Sequence, residues 1–89
     1  RLDGLGAIGI ARCFATSGLL KRALYSEEDP LCKQRTPNDL EFTLDHFYVK
    51  LFKLVEKLHT KAAKELGQKR LKIMKEYTQN LYLEIVGQL

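Results

Sequence analysis

An all-α fold is predicted for this sequence, because apolar residues recur every three or four positions in three separate segments. No segment alternates apolar and polar residues as a half-buried strand would, and no internal repeat or low-complexity tract interrupts the pattern. The three segments are residues 2–18, 36–59 and 60–87. We therefore expect a glycine-rich buried helix, a loop and a long antiparallel helix hairpin.

The first predicted helix carries an unusual number of glycines. Gly4, Gly6 and Gly9 stand among its apolar residues, and each glycine costs a helix up to about 1 kcal/mol relative to alanine. We interpret them as places where the backbone closely approaches a neighbouring helix or a ligand. Gly18 is predicted to follow the helix as its C′ residue. The apolar positions that define the helix are Leu2, Leu5, Ile8, Ile10, Ala11, Phe14 and Ala15.

A long loop is predicted over residues 19–36. The run Ser26–Pro30 breaks any helical turn that begins at Leu19, and the residues after it show no apolar periodicity. Long loops in compact domains are often functional. We interpret Asp29–Pro30 as shaping a turn, with a cover over the mouth of an active site as the alternative.

Two further helices are predicted after this loop. Thr36–Pro37 provides a cap and a favourable first helical position, and Asp39 places negative charge in the first turn. This helix should run to about His59. Thr60 is the next predicted cap, and Gly87 marks the predicted end of the last helix. Because the connection is so short, the two helices are expected to pack as an antiparallel hairpin.

Length and composition limit the function classes. Eighty-nine residues allow one domain at most, and a hydrophobic fraction of 45% is ordinary for a globular protein. No run of about 18 apolar residues and no signal segment is present, so we expect a cytoplasmic protein that does not enter a membrane. Cys13 and Cys32 are expected to be free thiols. With only His46 and His59 available, the chain cannot assemble a metal site by itself.

The net charge of +4 arises mainly between Lys50 and Lys75. Such a basic stretch can attract phosphate groups, nucleic acid or an anionic surface. An ordinary solvated helix surface with Glu–Lys pairs is the simpler interpretation. Aromatic residues do not alternate with the lysines as a base-stacking surface would require, which argues against nucleic acid as the partner.

The opening run RLDGLGAIGIARCFA, residues 1–15, resembles a stretch of the HD-domain phosphohydrolase superfamily, in its YedJ-like branch. In that branch an aspartate-rich segment leads directly into RLDxxGAIGIAR. The resemblance covers nearly the whole chain, and this opening run is its specific part. It continues through Glu28-Asp29-Pro30, Asp45-His46-Phe47, Lys50-Leu51 and Lys53-Leu54, and it weakens over the last helix, where Ala63, Arg70 and Met74 still fit.

The resemblance implies an all-α domain that binds a divalent metal, manganese or magnesium, through two histidines and two aspartates. It implies hydrolysis of a phosphate ester or a nucleotide phosphoanhydride by metal-activated water. The family's ligands lie upstream of Arg1, so no residue of this chain is assigned as a metal ligand. Residues 1–89 are therefore expected to be the C-terminal portion of a single HD-type domain whose N-terminal portion is absent. Without that portion, the apolar face of residues 2–20 should be exposed and prone to association.

Four side chains are candidates to bind the substrate phosphate. Arg1 and Arg12 lie three turns apart on one helix face, and Lys50 lies one turn after His46. Cationic groups stabilise the charge that develops on phosphoryl oxygens. The alternative for each arginine is a structural carboxylate partner, and the alternative for His46 is a packed position on its helix.

Asp3 is the catalytic candidate. As a carboxylate close in sequence to the family's metal ligands, it would hold a metal-bound water or orient a ligand histidine. Its simpler role is a negative charge at a helix N-terminus, where the macrodipole favours it.

Three functions are therefore weighed. The first is a fragment of a metal-dependent phosphohydrolase, with a small phosphorylated or nucleotide substrate and the N-terminal half of its own domain as partners. The second is a non-catalytic basic helical module that binds nucleic acid or an acidic protein. The third is an HD-fold protein that has lost catalysis. The sequence leaves homo-oligomer formation open.

Overall fold

The computed structural model describes residues 2–89, and every regular element in this range is a helix. No strand forms within this range, so the predicted all-α fold class is confirmed. Among these residues no helix combines the length and the apolar character needed to cross a bilayer. In chain order the elements are a first 3-10 helix, Leu2–Gly4; helix α1, Gly6–Leu19; helix α2, Asp45–Val49; a second 3-10 helix, Leu51–Lys57; and helix α3, Lys61–Ile85.

A close backbone approach explains one glycine of α1. A Cβ atom placed on Gly9 would lie 2.3 Å from the carbonyl oxygen of Gly4, so only glycine allows α1 to fold back against the first 3-10 helix. The approach predicted from the glycines is therefore present. For Gly9 the partner is the turn immediately before the helix. Gly6 does approach a neighbouring helix, because a Cβ atom placed on it would lie 3.0 Å from Arg70 Cγ of α3.

The prediction that Gly18 follows α1 as its C′ residue is wrong. Gly18 is helical, and α1 ends one residue later, at Leu19. The reversal after the helix uses Lys21 instead, whose φ of 57° lies in the left-handed region. Gly87 does hold the predicted place at the end of α3, with a φ of 77°.

The helix predicted from Thr36 to His59 is replaced by much shorter elements. Its first part is a series of turns, because the backbone amide of Thr43 donates to the carbonyl of Ala23 at 2.8 Å, in a short parallel bridge between two loop segments. An amide committed to a distant carbonyl cannot join a helical ladder. Helix α2 therefore begins only at Asp45.

The remainder of that segment is interrupted at Lys50. Its φ of −136° departs from helical geometry, and the chain then continues as the second 3-10 helix. Helix α3 agrees with the prediction: the Thr60 hydroxyl oxygen accepts from the amide of Ala63 at 3.0 Å and caps it. The second arm of the predicted hairpin is thus a long helix. The first arm is short and mostly 3-10.

The core joins the helices through aromatic contacts. Phe47 of α2 is fully buried, and its ring centroid lies 6.2 Å from that of Phe14 in α1 and 6.4 Å from that of Tyr77 in α3. Phe47 therefore fixes α2 against both longer helices. Because His46 precedes it and Lys50 lies one residue beyond α2, this contact also holds those two side chains beside α1.

Helix α1 is buried on one side only. Leu5, just before it, is fully buried, whereas Ile8 is 59% exposed and Leu19 is 85% exposed. The prediction of a buried helix therefore holds for the face toward α3. The opposite face leaves apolar side chains in contact with solvent, as expected for residues 2–20.

Candidate functional site

A groove of about 780 Å³ lies between α1 and the segment from α2 to the second 3-10 helix. Four predicted site residues line it together: Asp3, Arg12, His46 and Lys50. The fifth, Arg1, lies outside the described residues. The sequence positions of the four span more than half of the chain, so their convergence is a product of the fold.

Each wall of the groove has a definite structural origin. Asp3 belongs to the first 3-10 helix and Arg12 to α1, which Gly9 holds against that turn. His46 belongs to α2, and the amide of Lys50 donates to the His46 carbonyl at 3.0 Å in the last turn of that helix. The buried Phe47 contacts described above fix the second wall relative to the first.

Asp3 and Arg12 form an exposed ion pair at the groove. The Arg12 Nη1 atom lies 3.6 Å from Asp3 Oδ2, and the two side chains are about two-thirds and three-quarters exposed. An ion pair so open to solvent contributes little to stability. Arg12 is therefore free to exchange its carboxylate partner for a phosphate group.

His46 is paired with the carboxylate of Asp39, a contact that the helix predicted from the sequence would not allow. Its Nδ1 atom lies 2.8 Å from Asp39 Oδ2, and each side chain is 27% exposed. Asp39 was predicted to occupy the first turn of a helix running through His46. Seven residues of continuous helix would separate the two by about 10 Å, so that prediction excluded the contact. The turns before α2 bring them together.

Two further cations line the groove and were not predicted as site residues. Arg22 comes from the loop after α1, and Lys57 comes from the end of the second 3-10 helix. Arg22 gave no signal because it lies outside any periodic segment, and Lys57 was grouped with the solvated lysines. Within the described residues the lining thus contains four basic side chains, Arg12, Arg22, Lys50 and Lys57, against the single carboxylate of Asp3.

Cys13 also lines the groove but is not a reactive thiol. Burial raises its pKa to about 11, with Arg22 acting in the opposite direction and Asp39 reinforcing the increase. Near neutral pH the group is therefore a protonated thiol, which is a poor nucleophile and a poor metal ligand. Cys13 and Cys32 are both free.

The residues of the described chain do not fit a metal centre. Residues 2–89 contain no group of three histidine, cysteine, aspartate or glutamate side chains that could hold an ion. Asp3 and His46 both line the groove, but no third ligand of these types joins them there within this range. What the groove offers is a concentration of positive charge suited to an anion.

An ion pair between the preceding loop and α2 supports the side of the groove that carries His46. The carboxylate of Asp45 is fully buried and accepts from both terminal nitrogens of Arg35, at 2.5 and 2.9 Å. It also accepts from the backbone amide of Asn38 at 2.7 Å. Burial alone would raise the pKa of Asp45, but these donors outweigh it and hold the pKa below its usual range.

The Asp29–Pro30 segment shapes a turn, as interpreted from the sequence. The carboxylate of Asp29 accepts from the backbone amides of Gln34 at 2.8 Å and Lys33 at 3.0 Å. These bonds lower the pKa of Asp29. Asp29 therefore organises the loop that delivers Arg35 to Asp45.

Comparisons with known proteins place this arrangement in context. No protein-family model matches the chain. The chain is 32% identical over 87 residues to the uncharacterised protein YpgQ of Bacillus subtilis strain 168, covering 98% of this chain and 37% of YpgQ. It therefore spans less than half the length of this relative.

Solved structures give the same correspondence. YpgQ in complex with ADP matches with a TM-score of 0.77 and 32% identity, over 94% of this chain and 38% of that one. An HD-superfamily hydrolase from Bacillus thuringiensis matches with a TM-score of 0.77 and 37% identity, over 93% and 40%. A protein from Lactobacillus plantarum matches with a TM-score of 0.79 and 30% identity, over 97% and 44%. Over nearly its whole length, the chain resembles, in sequence and in helical fold, one segment of an HD-superfamily hydrolase.

Proposed function

We propose that this chain forms the phosphate-binding wall of a phosphohydrolase that cleaves a phosphate ester or a nucleotide phosphoanhydride with metal-activated water. One observation carries the proposal: Arg12, His46 and Lys50, chosen as phosphate ligands from the sequence, line one groove with two further cations. The likeness to an HD-superfamily hydrolase supports the reaction class. The structure of YpgQ with ADP supports a nucleotide as the substrate class.

The charge of the groove suits phosphoryl transfer. In that reaction negative charge is spread over the oxygens of the transferred group, and fixed cations lower the barrier by stabilising it. Arg12 can donate two parallel hydrogen bonds to a phosphate, whereas Lys50 supplies a compact charge. Arg22 and Lys57 extend the same surface, so a substrate with more than one phosphate group would find additional partners. Arg1, outside the described residues, stays a proposed phosphate ligand.

A divalent ion, manganese or magnesium, would supply the nucleophilic water and neutralise phosphoryl oxygens when bound. Its ligands would have to come from residues other than 2–89, since this range does not fit a metal site. Asp3 is proposed to orient a metal-bound water or a ligand histidine from the rim of the groove. Among residues 2–89 its exposed carboxylate is paired with Arg12 alone, which leaves it able to make such a contact.

The remainder of the catalytic domain is the proposed partner of this chain. The relatives are more than twice as long as the part that the chain matches, and α1 exposes Ile8 and Leu19 on the face away from α3. We propose that residues 1–89 are the C-terminal portion of one HD-type domain and that its N-terminal half supplies the metal ligands.

The test is hydrolysis by the whole protein of a panel of nucleoside phosphates, with manganese, magnesium or a chelator. Turnover that the chelator abolishes is expected, and Arg12→Met should lower it by about tenfold or more. Lys53→Met removes the same charge from a side chain that does not line the groove, and should leave turnover nearly unchanged.

Other outcomes decide between the remaining functions. Phosphate binding without turnover in the presence of metal would indicate an HD-fold protein that has lost catalysis. Absence of both binding and turnover would overturn the proposal and favour a basic interaction module.

A further inference from the structure

We propose that Asp39 is a positioning residue for His46: its carboxylate holds one edge of the imidazole, so that the other edge faces the groove and donates to a bound phosphate oxygen. The inference rests on the proposed function, because it takes phosphate as the ligand of the groove. It adds a residue, Asp39, that neither the sequence motif nor the groove lining includes.

The geometry of the pair defines the two edges of the ring. Asp39 Oδ2 lies 2.8 Å from His46 Nδ1, which is a hydrogen-bonding distance. A carboxylate can only accept, so the proton of this bond belongs to Nδ1. Within residues 2–89 the Nε2 atom has no hydrogen-bond partner, and the His46 side chain lines the groove. Nε2 is therefore the edge available to a ligand.

Both members of the pair are held in place by their neighbours. Asn38, which precedes Asp39, donates its backbone amide to the buried carboxylate of Asp45 at 2.7 Å. The Asn38 side-chain oxygen accepts from the amide of Leu40 at 3.2 Å, which closes the turn around Asp39. Asp45 itself precedes His46 in α2. The buried Asp45 carboxylate thus connects the turn that carries Asp39 to the helix that carries His46.

Donation from Nε2 places a chemical requirement on the ring. Because Nδ1 already donates to Asp39, a hydrogen bond from Nε2 to a phosphate oxygen needs a proton on both ring nitrogens. The charged groups that line the groove with His46 are Asp3, Arg12, Arg22, Lys50 and Lys57.

The first arm of the test measures the ring directly. Nitrogen NMR of the protein labelled in its histidines reports which ring nitrogen carries the proton. His46→Gln and His59→Gln identify the two signals that this segment contributes. We expect the His46 ring to carry its proton on Nδ1, and Asp39→Asn to change that signal while His59 is unaffected. The matched control is Glu41→Gln, an exposed acid of the same turn. An unchanged His46 signal in Asp39→Asn would overturn the positioning role.

The second arm measures affinity for inorganic phosphate and ADP at about pH 6 and about pH 8.5, because donation from Nε2 needs a ring that is protonated at both nitrogens. Asp39→Asn should weaken binding about tenfold at the lower pH and much less at the higher pH. His46→Asn, whose amide reaches only the Nδ1 position, should show the same loss. His46→Gln, whose amide reaches the Nε2 position, should recover part of it.

A double-mutant cycle separates positioning from a general loss of stability. Asp39→Asn and His46→Asn together should weaken binding no more than either change alone, since both remove one interaction. Additive losses would overturn the proposal. If wild-type protein binds neither phosphate nor ADP, the proposed function and the donor role of Nε2 both fail. The NMR arm then still decides whether Asp39 fixes the ring.

Discussion

Arg35 and Asp45 form a bidentate ion pair in which the carboxylate is completely buried, with Nη1–Oδ2 and Nη2–Oδ1 distances of 2.5 and 2.9 Å. The pair joins the irregular loop to the first residue of α2. It therefore supports the helix that carries His46, and with it one wall of the groove.

Removing the charge of Asp45 should destabilise the fold strongly. In Asp45→Asn the Arg35 guanidinium loses its buried bidentate carboxylate and, within residues 2–89, keeps only Asp29, whose Oδ2 lies 3.9 Å from Arg35 Nε. We expect the free energy of unfolding to fall by about 3 kcal/mol, the lower end for breaking a buried ion pair. Urea denaturation measures the change. Asp3→Asn removes a carboxylate from the exposed pair with Arg12 and should change stability by less than about 0.5 kcal/mol. Equal effects of the two substitutions would contradict a stabilising role for the Arg35–Asp45 ion pair.

The same carboxylate should make stability sensitive to acid. The pKa of Asp45 is lower in the folded protein than in the unfolded chain, so its contribution is complete above the unfolded value of about 3.9 and disappears as the pH falls through the folded value. Asp29 acts with the same sign, because the amides of Gln34 and Lys33 lower its pKa. Melting temperatures measured from about pH 6 to about pH 2 should therefore fall. The fall should be shallower in Asp45→Asn; parallel curves for the two proteins would refute the assignment.

Two glycines of α1 should respond oppositely to alanine. Gly9→Ala would place a methyl group against the Gly4 carbonyl, and we expect a loss of about 1–3 kcal/mol. Gly18→Ala meets no atom of residues 2–89 within 4 Å and removes a glycine from a helix, so stability should rise by up to about 1 kcal/mol. Thermal unfolding of the two variants compares them directly. A destabilised Gly18→Ala would show that the end of α1 is packed differently.

Neither cysteine should react readily with alkylating reagents in the folded protein. Burial raises the pKa of Cys13 to about 11 and that of Cys32 to about 12, so the thiolate that reacts is scarce below about pH 10. Modification followed by mass spectrometry should be slow at about pH 8 and become rapid in urea, where both thiols regain an ordinary pKa near 8.5. Rapid labelling of the native protein at either position would contradict this placement of the thiols.

The sequence predicted best those elements whose signals are local. Helix α3 has its cap at Thr60 and its terminal glycine at Gly87, and both act within a few residues of the helix end. The segment after Thr36 carries equally good local signals. It folds differently because the amide of Thr43 is bonded to Ala23, twenty residues away, and no local pattern reports such a bond.

The candidate site was predicted only in part, because some of its contacts also depend on structure that no local pattern reports. Arg12, His46 and Lys50 were found through a motif, and the structure brings them to one groove. Asp39 was missed because its contact with His46 requires turns where a helix was predicted. Arg22 was missed because it lies in a loop without periodicity. The functional role of the groove stays a prediction.

The most direct test of the central claim is the affinity of the protein for ADP with Lys50 or Lys53 replaced by methionine. The two lysines lie three residues apart, and only Lys50 lines the groove. Lys50→Met should weaken ADP binding about tenfold and reduce its salt dependence, while Lys53→Met should match the wild type. Equal affinities for Lys50→Met and Lys53→Met would contradict a phosphate-binding groove at this position.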